Sequence, residues 1–105
     1  MSFRVAESGG VTTVFLDGEI DLERSPEARK ALLEALSRGG PLLVDLAEVE
    51  YMDSSGLASL IEVHQRAREK SIDFALARVS APVMKVLKLA RLDQVFTIRA
   101  PGKGG

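Results

Sequence analysis

Leu42-Leu43-Val44-Asp45-Leu46 constrains this chain more than any other stretch, because it is a nearly continuous apolar run of strand length. Successive strand side chains point to opposite sides of a sheet, so such a run needs cover on both faces and reads as an inner strand with parallel neighbours. Parallel neighbours need crossovers long enough to hold a helix, so strands and helices are expected to alternate. The run leads through Ala47-Glu48-Val49-Glu50-Tyr51-Met52, which reads as a short acidic loop, into a helix predicted over 54–69. Asp53 is of a type that caps helix N-termini, and Leu57, Leu60, Ile61 and Ala67 recur at helical spacing with His64 on the same face. Ser54 therefore stands at a helix start, where unpartnered N–H groups and the positive end of the helix dipole suit an attached oxyanion such as a phosphate.

The remaining elements fall into place around that unit. Phe3 and Val5 alternate with polar neighbours, Glu7-Ser8-Gly9-Gly10 supplies turn residues, and Val11-Thr12-Thr13-Val14-Phe15-Leu16 is β-branched and aromatic, so a hairpin opens the sheet. Asp17-Gly18-Glu19-Ile20-Asp21 is read as a turn, and Ser25-Pro26 as an N-cap followed by the first helical position. Ala28, Ala31, Leu32, Ala35 and Leu36 form the apolar stripe of that helix, and Gly39-Gly40-Pro41 stops it. Ile72-Asp73-Phe74-Ala75-Leu76-Ala77 predicts another inner strand; Ser80-Ala81-Pro82 starts a third helix with Val83, Val86, Leu87 and Ala90; Val95-Phe96-Thr97-Ile98 predicts a last short strand. The order is strand, strand, helix, strand, helix, strand, helix, strand. The fold class is α/β, a mixed sheet of about five strands with helices packed on it, in one domain over 1–100 with a frayed tail over 101–105.

Composition narrows the function. A chain of 105 residues suffices for one core without metal or disulfide support, and it contains no cysteine. The formal net charge of −1, with no block of Lys or Arg, gives no footprint for nucleic acid. No run approaches the length of a membrane span, so a cytoplasmic protein without membrane insertion is expected. Enzymatic readings fail on spacing. The single histidine, His64, lies ten residues from Ser54 on the same predicted helix, about 15 Å at roughly 1.5 Å per residue, too far to act as its base. No phosphate loop and no metal-type grouping of carboxylates with histidines is present, so neither catalytic residues nor a cofactor or metal is expected.

Met52-Asp53-Ser54-Ser55-Gly56-Leu57, together with Gly18-Glu19-Ile20-Asp21 upstream and Leu92-Asp93-Gln94-Val95-Phe96 near the end, resembles the bacterial anti-sigma factor antagonists, the family of small STAS domains. The resemblance covers nearly the whole chain. It implies that Ser54 is the phosphoacceptor of a partner serine kinase with a histidine-kinase-like ATPase fold that doubles as an anti-sigma factor, with a serine phosphatase to reset it. It also implies that Asp21 is a hydrogen-bonding or kinase-recognition neighbour of that serine. Two positions depart from the family pattern: Lys70-Ser71 stands where a glycine is usual before the fourth strand, and Arg91 where one is common before the final leucine.

Plainer roles are open for each marked residue. Ser54 can be a first-turn serine, Ser55 is the weaker phosphoacceptor candidate, Asp21 can cap the helix that follows, Asp53 reads as N-cap rather than chemistry, and Gly56 reads as a close backbone approach or as room for a partner. Functionally, the alternative to a phosphorylation switch is a constitutive scaffold or accessory subunit of a membrane lipid-transport or transporter complex.

Overall fold

The computed structural model describes residues 3–99, and the expected tail lies outside the described residues. β1 (Arg4–Ser8) and β2 (Val11–Ile20) form the antiparallel hairpin, and every later strand joins in parallel: β3 (Leu42–Met52), β4 (Phe74–Ala77) and β5 (Ile98–Arg99). Spatial order equals chain order, β1-β2-β3-β4-β5. The crossovers carry α1 (Ser25–Leu36), α2 (Ser54–Glu69) and α3 (Ala81–Leu89), and a 3₁₀ turn at Leu92–Gln94 precedes β5.

The pleat sorts the core. Val14, Val44 and Leu76 share one face through the register Val14↔Val44↔Leu76 and are completely buried, against Leu32 of α1 and Leu60 and Val63 of α2 in the same cluster. α1 and α2 lie side by side, joined at the surface by Arg29, whose Nε and Nη2 donate to the two carboxylate oxygens of Glu62 at 2.7 Å each. α3 packs along β3, with the Ser80 hydroxyl donating to the Val49 carbonyl at 2.7 Å and Val83 and Leu87 fully buried.

The cover expected on both faces of β3 is complete on one only. Thr13, Phe15, Leu43 and Ala77, on the other face, remain half-buried. Asp45 is buried there as the partner of Arg78, whose Nε donates to its Oδ2 at 2.7 Å.

Two stretches expected as loops are strand. The Ala47–Met52 segment, read as an acidic loop, is the second half of β3, and 17–20, read as a turn, is the end of β2; they pair as Asp17↔Glu48, Gly18↔Val49, Glu19↔Tyr51 and Ile20↔Met52. β3 carries an extra residue at two bulges, so its buried positions there, Val49 and Met52, are three apart and the two-residue alternation that marks a strand is lost. Gly18 sits at φ +67° inside β2, with the guanidinium of Arg24 against it: Nη1 donates to the carbonyls of Asp17 at 2.7 Å and Glu19 at 3.2 Å, and Nη2 to the Asp17 carboxylate at 3.0 Å.

Smaller corrections share the same kind of cause. Ser25 is the first residue of α1 rather than its cap; Arg24 holds the cap position, and the N–H groups leading into the helix are taken by Asp21. The last strand is shorter than expected because Val95 and Phe96 N–H groups bond the Leu92 carbonyl in the 3₁₀ turn, which turns Phe96 into the core against His64 and Phe74. β4 begins at Phe74, after the chain has turned at Ser71.

Candidate functional site

Ile20 and Met52 are register partners at the ends of two neighbouring parallel strands, so the residues that follow them, Asp21 and Asp53, leave the sheet side by side. A hydrogen bond from Asp53 N–H to the Ile20 carbonyl (3.3 Å) ties the two exits together. Asp53 is the N-cap of α2, as expected. Its Oδ1 accepts from the N–H of Ser55 at 2.9 Å and of Gly56 at 3.3 Å, and from the Ser55 hydroxyl at 2.5 Å. The Ser55 hydroxyl above all holds the Asp53 carboxyl below its ordinary pKa; burial opposes it, and the backbone N–H donors add to the lowering. The cap is therefore a fixed negative charge at neutral pH.

This separates the two serines. Ser55 is half-buried and its hydroxyl is committed to Asp53, whereas Ser54 is exposed and its hydroxyl has no hydrogen-bond partner among the described residues. Two of the N-terminal N–H groups of α2 are already taken by Asp53, so the helix end offers an oxyanion on Ser54 fewer donors than a bare helix start would. Asp21 sits at the neighbouring strand exit, but its Oδ1 accepts from the N–H groups of Glu23 and Arg24, both at 3.1 Å, and no hydrogen bond joins it to Ser54.

Gly56 has a packing reason. A Cβ there would lie 2.7 Å from Met52 Cγ and 2.9 Å from the Ile20 carbonyl oxygen, so glycine is what lets α2 start directly above the paired strand ends. It is buried, and the space a side chain would need is filled by this chain's own strands rather than left open to a partner. The surroundings of Ser54 are apolar as well as acidic. Leu22, just past Asp21, is 74% exposed and Tyr51, just before Met52, is 49% exposed. Neither stood out in the sequence: Leu22 lies outside any periodic stripe, and Tyr51 falls in the stretch read as loop. His64 is remote from this end, ringed by Phe74 and Phe96 at 5.9 and 5.3 Å between centroids. Burial and the neighbouring Arg68 keep its pKa below the ordinary value. Among the described residues no cluster of His, Asp and Glu could hold a metal, and no helix is long and apolar enough to cross a membrane.

The family model described as the STAS domain matches residues 2–101. The chain belongs to the STAS domain family. Among curated STAS relatives, the anti-sigma F factor antagonist of Paenibacillus polymyxa is 30% identical over 91 residues, covering 85% of this chain and 78% of that protein. The crystal structure of an anti-sigma factor antagonist from Mycobacterium paratuberculosis superposes with a TM-score of 0.82 at 24% identity, over 92% of this chain and 83% of that one. The Bacillus cell-fate determinant SpoIIAA, solved in its phosphorylated form, superposes with a TM-score of 0.70 at 17% identity, over 94% of this chain and 92% of the other. The expected strand and helix order is thus that of a STAS domain.

Proposed function

We propose that this chain is an anti-sigma factor antagonist whose docking is switched by phosphorylation of Ser54. Unmodified, it binds a serine kinase anti-sigma factor and causes release of the sigma factor; phosphorylated by that kinase, it lets go, and a serine phosphatase resets it. The observation that carries the reading is the difference between adjacent serines, with Ser54 exposed and uncommitted and Ser55 tied to the cap. The relatives' names and the phosphorylated SpoIIAA structure support the same reading.

The physics favours a change of surface over a change of fold. A phosphate adds about −1.5 to −2 charges and three acceptor oxygens at neutral pH. It would stand beside an ionised Asp53 whose cap bonds already use the nearest donors, so the new charge faces outward, toward a partner seated on Leu22 and Tyr51. A loss of about 1.4 kcal/mol in the complex is a tenfold loss of affinity, which uncompensated burial of such a charge easily exceeds.

The test incubates wild type and Ser54→Ala with ATP and the serine kinase encoded nearest the gene, followed by intact-mass analysis and a native-gel binding assay. The switch predicts one added phosphate on the wild type alone, with loss of its complex, while Ser54→Ala stays bound. Binding by both proteins with no phosphate on either would refute the switch and favour the constitutive scaffold.

A further inference from the structure

The outer edge of β4 is only half covered. β5 pairs through Ile98 and Arg99 with Leu76 and Ala77, and Leu76 N–H donates to the Thr97 carbonyl at 2.8 Å. Backbone groups two residues apart on a strand point the same way, so Phe74 directs its N–H and C=O toward that edge, below the point where β5 begins. Neither group has a hydrogen-bond partner among the described residues.

At this gap lies a cavity of about 630 Å³, bounded by the C-terminal half of α2, the first residues of β3 and β4, and β5. That volume is in the range of small-molecule sites, roughly 300–1,000 Å³. Val11, Leu43 and Ile72, all half-buried, give it its accessible apolar wall, with the closed core at Leu42 and Phe74 behind it. Arg68, Arg99 and Asp73 stand in its lining, and none of their side chains has an ion pair or hydrogen bond among the described residues. Two guanidiniums against one carboxylate leave one net positive charge. His64 also lines the cavity, and its Nδ1 is buried without a hydrogen-bond partner among the described residues.

We propose that this cavity binds a small monocarboxylic acid with an apolar body. The hydrocarbon or aryl portion lies against Val11, Leu43 and Ile72, and the carboxylate meets the planar fork of Arg68 or Arg99, with the free Phe74 N–H as a further donor. One net positive charge matches one carboxylate. A polyphosphate would bring several negative charges to the same two arginines and place them beside Asp73. The site is independent of the Ser54 switch: Arg68 is fourteen residues along α2 from Ser54, about 21 Å at 1.5 Å per residue.

The experiment is an amide NMR titration of the full chain with 4-phenylbutyrate and, separately, with decanoate; 4-phenylbutyramide serves as the uncharged counterpart and butyrate as the carboxylate without a large apolar body. The expected result is saturable shifts at Arg68, Ile72, Phe74 and Arg99 with at least one of the two long acids. The amide and butyrate should each bind at least tenfold more weakly than 4-phenylbutyrate or decanoate, whichever is the better ligand. An Arg68→Gln, Arg99→Gln double variant, altered only at exposed side chains, should bind the acid at least tenfold more weakly while keeping the native spectrum. Absence of saturable shifts with both acids up to millimolar concentration would overturn the proposal. So would shifts centred elsewhere, an amide that binds as well as its acid, or undiminished binding by the double variant. The amide comparison uses the wild type, so it decides the matter even if the double variant folds poorly.

Discussion

Ser71→Gly should make the protein more stable although Ser71 is exposed and its hydroxyl bonds nothing among the described residues. α2 ends in a Schellman arrangement: Ile72 N–H donates to the Ala67 carbonyl at 2.9 Å and Ser71 N–H to the Arg68 carbonyl at 3.1 Å. That arrangement needs a left-handed residue after the cap, and Ser71 is held there at φ +57°. For a residue with a Cβ the left-handed conformation costs about 1–2 kcal/mol. Glycine removes that cost but adds freedom to the unfolded chain, which takes back about 0.4–1 kcal/mol. The net gain is therefore about 0.5–1 kcal/mol, a rise in Tm of roughly 2–5 °C for a domain of this size. Urea titration of wild type, Ser71→Gly and Ser71→Ala is the assay. Ser71→Ala keeps the strained backbone and loses only an idle hydroxyl, so it should stay within about 0.5 kcal/mol of wild type. A glycine variant no more stable than the alanine variant, at equal m-values, would refute the argument. Arg91, at φ +60° after α3, stands in the same position and should respond in the same direction. The two departures from the family's glycines are thus two of the three places among the described residues where a side chain is held in a glycine conformation, Arg78 at φ +50° being the third.

Gly56→Val should cost about 1–3 kcal/mol through overpacking against Met52 and the Ile20 carbonyl, whereas Ala58→Val, at an exposed position of the same helix, should cost under about 1 kcal/mol; urea midpoints compare them. His64 has a lowered native pKa, so the unfolded chain takes up its proton first. Stability should therefore fall as pH drops below the ordinary histidine value and level off once the native form titrates too, and His64→Gln should flatten that slope in denaturation curves taken between neutral and mildly acidic pH. For Asp53 the lowered pKa gives a contribution that is present above the ordinary carboxylate value and lost as pH falls through the native one. The stability difference between wild type and Asp53→Ala should accordingly shrink in acid, and a difference that grows there would contradict the cap's ionised state.

Legibility in the sequence tracked whether one local rule governed a segment. α2 was readable over 54–69 because an aspartate cap and a helical apolar stripe agree. The second half of β3 was not, since its bulges move Val49 and Met52 off a two-residue period and place Glu48 and Glu50 between them. Gly18 looked like a turn because nothing local reveals that Arg24, six residues on, will hold the bent backbone inside a strand. At the site, Asp53, Ser54 and Gly56 could be singled out from their order alone. The resemblance ranks Ser54 above Ser55, but the physical difference between them is not local, because it depends on which hydroxyl turns inward to the cap.

Because the spatial order of the sheet equals its chain order, each strand after the first pairs with the strand that precedes it in the chain. β3 pairs with β2 across the twenty-one residues 21–41, and α2 follows both in the chain and precedes β4. The serine-bearing end of α2 rests on the strand ends of β2 and β3, which precede it in the chain, so every residue of its seat lies in the first two thirds of the sequence. The short β5 arrives last and carries the least pairing. Shortening from the C-terminus should therefore erode the far edge and the cavity beside it well before it disturbs the serine.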